Sequence, residues 1–317
     1  MTLTLCAKSP EDLLAAVPVA LGFEPCDSIV MLTFGGSIAF HARIDLPPPG
    51  DQAALRSVAL SLIEPCRRHG ARQVVFVLYD ADARRGRQVA RRLRREFDRA
   101  GVEVLECLRA AGGRWHSADG LRPGVPAGGI AYDTVAHPFR AQAIVDGHVT
   151  LGSRAELVAS VAADPEQVAA VEGVRARAAL LAPSELAELC ARHADAGTLP
   201  TDREAAAILL TIQSGVLRDA AWAVLTREVA ERHAALWCDL VRRAPDDLLP
   251  AAAAVLGFVA WLQGHGALAW CALDRCVALD PEQSLARLVA QLLDGAIPPS
   301  AWARMRASVE DLLGEAG

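Results

Sequence analysis

The stretch "RQVVFVLYD", Arg72 to Asp80, decides the fold of the first half of the chain. Its apolar residues follow one another without alternation, which is typical of a strand that is covered on both faces. Apolar residues at helical spacing lie on either side of it, before Gly70 and again at Val89, Leu93 and Phe97. A buried strand between two amphipathic helices predicts helices layered on a sheet.

Further strand and helix patterns complete this half. Ser9 and Pro10 open a short helix that Gly22 ends. The segment "SIVMLTFGGSIAFHARIDLP", from Ser28, then has the pattern of a hairpin around two glycines, and "VEVLECLRAAGGRWHS" has that of a second strand pair. The predicted order is α-β-β-α-β-α-β-β, an α/β or α+β domain over residues 1–131.

The second half shows no strand pattern and several sharp helix starts. Capping boxes begin at Ser153 and Thr201, each with a glutamate three residues later. The tetrapeptide "DPEQ" occurs at Asp164 and again at Asp280, and each copy predicts a helix with Asp as its N-cap and Pro in its first turn. These signals predict an all-α domain over residues 132–317.

One segment of this domain, "LGFVAWLQGHGALAWCALDRCVALDPEQSLARL" from Leu256, predicts a helical hairpin. An apolar helix leads into the turn Gly264-His265-Gly266, and a second helix follows with Ala269 and Ala272 at the packing seam. The pattern is similar to one tetratricopeptide unit. A stable array needs about three such units at a fixed period, so a single hairpin packed against other helices is predicted.

Composition narrows the class of protein. The chain has 317 residues, which favours two domains, and its 52% hydrophobic but only 5% aromatic residues favour helices. A formal charge of −6 argues against binding nucleic acid or anionic membrane over the whole surface, and leaves a local basic patch open. Eight widely spaced cysteines without a C-x-x-C pair predict buried reduced thiols and no metal site.

The sequence also bears on location. The longest uncharged apolar run, Leu248–Gly264, contains a proline and falls short of the roughly 20 residues that a membrane span requires. The first residues lack the basic start and apolar core of a signal peptide. We therefore expect a cytoplasmic protein that does not bind membranes.

Polar residues at predicted strand ends are the candidates for catalysis. Ser28 or Cys26 could act as a nucleophile, but no G-x-S-x-G motif frames Ser28, and the alternative is that Asp27 and Ser28 cap a turn at the start of a strand. Asp45 and Asp80 each follow an apolar strand. If those strands run parallel and adjacent, the two carboxylates could hold Mg²⁺ beside a phosphate.

The helix after Asp80 is rich in arginine, with eight arginines between Arg84 and Arg99. Arginine suits bidentate contacts with phosphate oxygens, so the helix could bind phosphate or nucleic acid. The alternative is a solvated face, since Lys8 is the only lysine of the chain and arginine must supply ordinary surface charge. The candidate residues for phosphate binding are Arg84, Arg87, Arg91, Arg94 and Arg95.

Charged residues and tryptophans within the helical half are the candidates for partner binding. Arg-Asp neighbours beside tryptophans could line a groove for a partner, because tryptophan and arginine are frequent at binding hot spots. The alternative is that the rings pack in the core and the ion pairs fix helix register. The candidates are Arg218, Asp219, Trp222, Trp261, His265, Trp270, Asp274 and Arg275.

Several segments together resemble one family. "DLLAAVPVALGFEPCDSIV", "ARIDLP", "GRWHS", "GSRAELVA" and above all "AAVLGFVAWLQGHGALAWCALDRCVALDPEQSLARL" resemble the DUF4192 proteins of actinobacteria, a family named for having no assigned function. The resemblance implies a two-part architecture and a cytoplasmic location, and it supplies no reaction. Family members tend to carry cysteines in the loop after the Arg-Trp pair; Gly113–Asp133 has none, so no metal role is implied for this loop.

Three functions stay open at this point. The first is a non-enzymatic binding or scaffold protein that uses its helical domain to bind another protein. The alternative is a metal-dependent enzyme acting on a phosphate-containing substrate at the strand ends. The third is nucleic-acid binding through the Arg84–Arg99 helix, and the cofactor of any enzymatic function is unknown from the sequence.

Overall fold

The computed structural model describes residues 7–120, 122–145, 150–223 and 225–306, with residue 220 described by its backbone only. Contacts between Cα atoms divide the chain into two units, Met1–Arg154 and Ala155–Gly317. We call them the sheet unit and the helical unit and describe each by itself.

The sheet unit has the predicted element order α-β-β-α-β-α-β-β, followed by one more short strand and one more helix. The hairpin at Gly35-Gly36 and the strand pair at Gly112-Gly113 are both confirmed. The elements are α1 Pro10–Leu21, β1 Ser28–Phe34, β2 His41–Asp45, α2 Gln52–His69, β3 Gln73–Tyr79, α3 Ala83–Arg99, β4 Glu103–Ala111, β5 Arg114–Ser117, β6 Ile130–Ala131 and α4 Pro138–Val145.

Helix boundaries in this unit follow their local caps. The Ser9 side chain accepts a hydrogen bond from the backbone N–H of Asp12 at 3.1 Å, and Gly22 ends α1 with φ 80°. Asp82 caps α3 in the same way, since its carboxylate accepts from the backbone N–H of Arg84 at 2.8 Å. These short-range bonds explain why the sequence located the helices correctly.

The six strands form one mixed sheet in the order β2-β1-β3-β4-β5-β6, so β2 and β6 are its edges. Strands β3 and β4 run parallel and are joined by α3, whereas the other neighbouring pairs are antiparallel. Ser28 at the start of β1 stands opposite Asp45 on β2 and Tyr79 on β3. The polar residues at these three strand ends therefore share one end of the sheet.

One face of the sheet packs on α2 and α3. Ile29 and Phe76 belong to a buried cluster that includes Leu62 of α2 and Phe97 of α3. The rings of Phe76 and Phe97 meet edge to face with centroids 5.0 Å apart. This cluster holds α3 in place along its apolar stripe.

The opposite face of the sheet is also buried. Val30, Val77 and Leu108, which alternate with the residues of the first cluster, are inaccessible to solvent. On this face Trp115 Nε1 donates a hydrogen bond to the carboxylate of Glu11 on α1 at 2.7 Å. The prediction that Arg72–Asp80 forms a strand covered on both faces is confirmed.

In the described residues of the helical unit, helices are joined by short connections and there is no strand. Helix α11, Leu249–Gln263, is buried along nearly its whole length and packs on α10 before it and α12 after it. The elements are α5 Arg154–Ser160, α6 Pro165–Arg175, α7 Pro183–Ala196, α8 Asp202–Thr211, α9 Gly215–Ala223, α10 Arg227–Arg243, α11 Leu249–Gln263, α12 Gly266–Leu279, α13 Ser284–Asp294 and a 3₁₀ turn at Pro299–Ala301.

Helices α11 and α12 form the predicted hairpin. Gly264 ends α11 with φ 83°, and Ala269 and Ala272 are buried at the seam. A methyl group on Gly257 would lie 3.0 Å from the side chain of Leu273, so Gly257 leaves the space into which α12 packs this leucine. No helix among the described residues combines the length and the apolar character that crossing a bilayer would require.

The two "DPEQ" segments behave differently. Asp164 caps α6 as predicted, with its carboxylate accepting the backbone N–H of Glu166 at 3.2 Å. The prediction for Asp280 is wrong, because α13 begins only at Ser284 and the Gln283 side chain caps it. Asp280 instead closes α12, with its backbone N–H donating to the carbonyl of Cys276.

Candidate functional site

A charged cluster occupies the end of the sheet where β1 begins and β3 ends. Arg85, in the first turn of α3, reaches back to the carboxylate of Asp80, with Nε to Oδ2 at 2.9 Å and Nη2 to Oδ1 at 2.7 Å. The same Nη2 lies 3.4 Å from Oδ1 of Asp27. Asp80 is only 2% exposed, so this bidentate pair balances a carboxylate that the fold has removed from water.

Backbone and neighbouring groups complete the environment of Asp80. Its Oδ1 also accepts the backbone N–H of Asp82 at 2.8 Å, and its carbonyl accepts Nη1 of Arg109 at 3.0 Å. The aliphatic stem of Arg109 passes so close to Gly86 that a methyl group there would come within 2.8 Å of it. The oxygens of Asp80 are thus engaged by protein donors.

The other predicted catalytic residues lie at the same end of the sheet but serve different contacts. Asp27 adopts the left-handed conformation with φ 40°, and its carbonyl accepts the N–H of Leu46 at 2.9 Å. The carboxylate of Asp45 pairs with Arg43 at 2.6 Å and is largely exposed. Strand β1 lies between β2 and β3, so Asp45 ends one strand and Asp80 follows another that runs in the same direction but is not adjacent to it.

Two hydroxyl groups near this cluster are buried. The side chains of Ser28 and Tyr79 stand opposite each other on β1 and β3, and neither hydroxyl has a hydrogen-bond partner among the described residues. Burial raises the pKa of the Tyr79 hydroxyl well above its usual value. Cys26, just before this strand, is exposed.

The metal-dependent enzyme inferred from these strand ends stays a prediction. The described residues contain no group of three or more His, Cys, Asp or Glu side chains placed to hold a metal.

The arginines of α3 divide into two sets. Arg94 donates to Asp119 at 2.7 Å and to the carbonyl of Val104 at 2.6 Å, so this candidate is used within the sheet unit. The remaining candidates are exposed and line a groove of about 450 Å³ with Gln52 of α2; they are Arg84, Arg87, Arg91 and Arg95.

Two of the three tryptophans predicted to bind a partner, Trp222 and Trp261, are core residues of the helical unit. Trp222 packs on Phe258 and Trp302, with ring centroids 4.8 and 5.5 Å away, and its Nε1 donates to Asp219 at 2.9 Å. Trp261 is 2% exposed and its Nε1 donates to the carbonyl of Ile297 at 2.9 Å. Their rings are therefore engaged inside the unit.

The other candidates of this unit are distributed along α9 and α12. Arg275 donates to the backbone carbonyls of Val161 and Val241, and burial lowers the pKa of its guanidinium. His265 is the N-cap residue of α12, Trp270 is partly buried on it, and Asp274 is exposed.

Arg218, a candidate for partner binding, lines a groove of the helical unit. Its guanidinium pairs with Asp219 at 2.8 Å and donates to the Ser284 hydroxyl at 3.1 Å, which ties α9 to the start of α13. The groove beside it has a volume of about 660 Å³. It lies where the α10–α11 and α12–α13 connections meet.

This groove is lined by the carboxylates of Asp246, Asp247, Asp280 and Glu282. We call it the acidic groove. Asp247 pairs with Arg175 at 2.7 Å, and Glu282 pairs with Arg287 at 2.8 Å. Asp246 and Asp280 have no ion-pair partner in the part of the chain that the structure describes. Sequence reasoning missed this site because its carboxylates come from two connections far apart in the chain.

Comparison with known proteins gives one result. A family model described as a domain of unknown function (DUF4192) matches residues 10–300. No curated protein and no solved structure matches the chain.

Proposed function

The chain belongs to the DUF4192 family, which has no assigned function, and we propose that it is a non-enzymatic binding protein whose helical unit takes up a basic segment of a protein partner. The acidic groove is the observation that carries this proposal. It offers several carboxylates in an open depression of about 660 Å³, which is large enough for a few side chains of an extended peptide.

The charges of the groove select the class of partner. Asp246 and Asp280 present carboxylates without an ion-pair partner among the described residues, whereas Asp247 and Glu282 already pair with Arg175 and Arg287. Carboxylates accept bidentate hydrogen bonds from arginine, and complementary charge speeds association. A partner segment that carries arginine or lysine fits this site.

The surroundings of the groove are suited to holding its shape. Arg218 links α9 to α13, and Gln213 at the groove donates to the carbonyls of Leu209 and Leu248 at 2.8 and 3.1 Å. These contacts fix the connecting segments on packed helices. A groove with a fixed shape loses little conformational entropy when it binds.

The test compares the acidic groove with equal charge changes elsewhere in the helical unit. The variant D246N/D280N/E282Q removes three carboxylates of the groove, and E166Q/E188Q/E231Q removes three exposed carboxylates outside it. Fluorescence anisotropy with labelled Gly-Ser peptides that carry increasing numbers of arginines reports affinity. We expect the groove variant to lose on the order of tenfold in affinity for the arginine-rich peptide, whereas the control binds like the parent protein.

Equal binding by the parent protein and both variants would contradict the proposal. Equal losses in the two variants would also contradict it, because attraction would then depend on net charge alone. Far-ultraviolet circular dichroism of each variant checks that the helices are retained.

A further inference from the structure

A second charged surface lies on the sheet unit. Arg84, Arg87, Arg91 and Arg95 follow one another at spacings of three and four residues along α3, which places them on one face of the helix. We call these four residues the arginine stripe. They line the groove of about 450 Å³ whose other wall includes Gln52 at the start of α2.

The stripe differs from the other arginines of α3 in its contacts. Each of the others has an acidic partner on the sheet unit: Arg85 pairs with Asp80, Arg94 with Asp119, and Arg92 and Arg99 with Glu96. In the described parts of the chain, no carboxylate pairs with Arg87, Arg91 or Arg95.

Like charges at this spacing weaken a helix. Arg87 and Arg91, and Arg91 and Arg95, are like-charge neighbours four residues apart, and each such pair costs about 0.2–0.5 kcal/mol. A bound anion would remove this repulsion.

The size and composition of the groove indicate which anion fits. From Arg84 to Arg95 the helix rises by roughly 16 Å, which is too long for one phosphate group and suits a polymer of phosphates. Duplex nucleic acid carries one negative charge per about 1.7 Å of its axis and meets such a stripe along its whole length. We propose that the arginine stripe binds the phosphate backbone of double-stranded nucleic acid without reading its sequence.

Three features of α3 and its groove favour a duplex over other polyanions. Its lining consists of arginine and glutamine, so it offers no aromatic platform on which single-stranded bases could stack. The apolar stripe of α3, with Val89, Leu93 and Phe97, is buried in the core and is not exposed for insertion into a lipid surface. Gln52 and Gln88 can donate to phosphate or sugar oxygens between the arginines.

The salt dependence of binding gives a quantitative expectation. Four phosphate contacts predict a slope of roughly −3.6 for log K against log salt, which is a loss of about 10²-fold between 50 and 200 mM salt. The net charge of −6 opposes binding elsewhere on the chain, so the interaction should depend on the stripe.

The experiment measures the anisotropy of a labelled duplex DNA of arbitrary sequence across a salt series. The variant R87Q/R91Q/R95Q should lower the slope by roughly 2.7 and abolish detectable binding at 200 mM salt. The control R67Q/R68Q/R72Q changes three exposed arginines of the same unit and should keep the parent slope. The melting temperature of the stripe variant should not fall, since the substitution relieves repulsion along α3.

Three further results would overturn the proposal. They are equal losses in the stripe and control variants, tighter binding of the single strand than of the duplex, and retention on phosphatidylserine vesicles without affinity for the duplex. The stripe and the acidic groove lie on different units and are tested with different ligands. Either proposal can therefore fail while the other holds.

Discussion

At the scale of the residue, Arg85 is the group on which the cluster at the sheet end depends. Asp80 is buried and Asp27 is exposed, yet both approach the same guanidinium. A buried carboxylate needs its partner far more than an exposed one does, because water already stabilises the exposed charge. The two contacts of Arg85 should therefore differ strongly in their contribution to stability.

This asymmetry leads to a prediction for two variants. R85M should lower the free energy of unfolding by about 3–5 kcal/mol, since it leaves the Asp80 carboxylate buried without its cation. D27N should change it by no more than about 1 kcal/mol, because the Asp27 side chain is 78% exposed. Urea denaturation followed by circular dichroism measures both, and similar values for the two variants would contradict the ranking.

The sequence indicated Asp27, Ser28, Asp45 and Asp80 as strand-end residues, and the sheet brings them to one end. It did not indicate Arg85, because nothing in a run of eight arginines shows which side chain folds back onto the sheet. That choice depends on the angle at which α3 leaves β3, which is a tertiary property. For the same reason the acidic groove, assembled from two distant connections, had no signal in the sequence.

At the scale of the element, the two "DPEQ" segments show the limit of local rules. The same four residues begin α6 at Asp164 but only close α12 at Asp280. The difference lies in what precedes them, since α12 continues up to Leu279 and the carbonyl of Cys276 accepts the backbone N–H of Asp280. The helical character of this half was therefore predictable from the sequence, whereas this boundary depended on the packing of the hairpin.

Glycines of the two units lead to opposite predictions. Gly36 lies in the turn between β1 and β2, where an added methyl group would come within 2.8 Å of the carbonyl oxygen of His69. G36A should therefore destabilise the protein by about 1–3 kcal/mol. G173A should stabilise it by about 0.5–1 kcal/mol, because Gly173 is an exposed residue inside helix α6 with open space around it. Thermal and urea unfolding of both variants measure the effects, and a loss of stability in G173A would contradict the assignment of that helix.

At the scale of the whole molecule, the division into two units implies that each has its own core. The sheet unit buries Leu78 between its strands and helices, and the helical unit buries Leu256 on α11. Leu78 belongs to the buried cluster of the sheet unit, and α11, which carries Leu256, packs on α10, α12 and α13 of the helical unit. A cavity made in one core should therefore affect that unit alone.

Calorimetry tests this expectation with one variant for each unit. L78A and L256A should each lower the free energy of unfolding of their own unit by about 2–5 kcal/mol. Each should lower the melting temperature of that unit by several degrees and leave the transition of the other unit unchanged. A single transition that shifts equally in both variants would show that the chain unfolds as one cooperative block.

The two edges of the sheet have a consequence for the chain at high concentration. Strand β2 is five residues long, carries Arg43 and Asp45, and is followed by three consecutive prolines, while β6 at the other edge is two residues long. Exposed strand edges recruit strands from other molecules, and short, charged or proline-flanked edges resist this. Both edges of the sheet therefore disfavour pairing with strands of other molecules. We expect the folded protein not to form amyloid fibrils at high protein concentration.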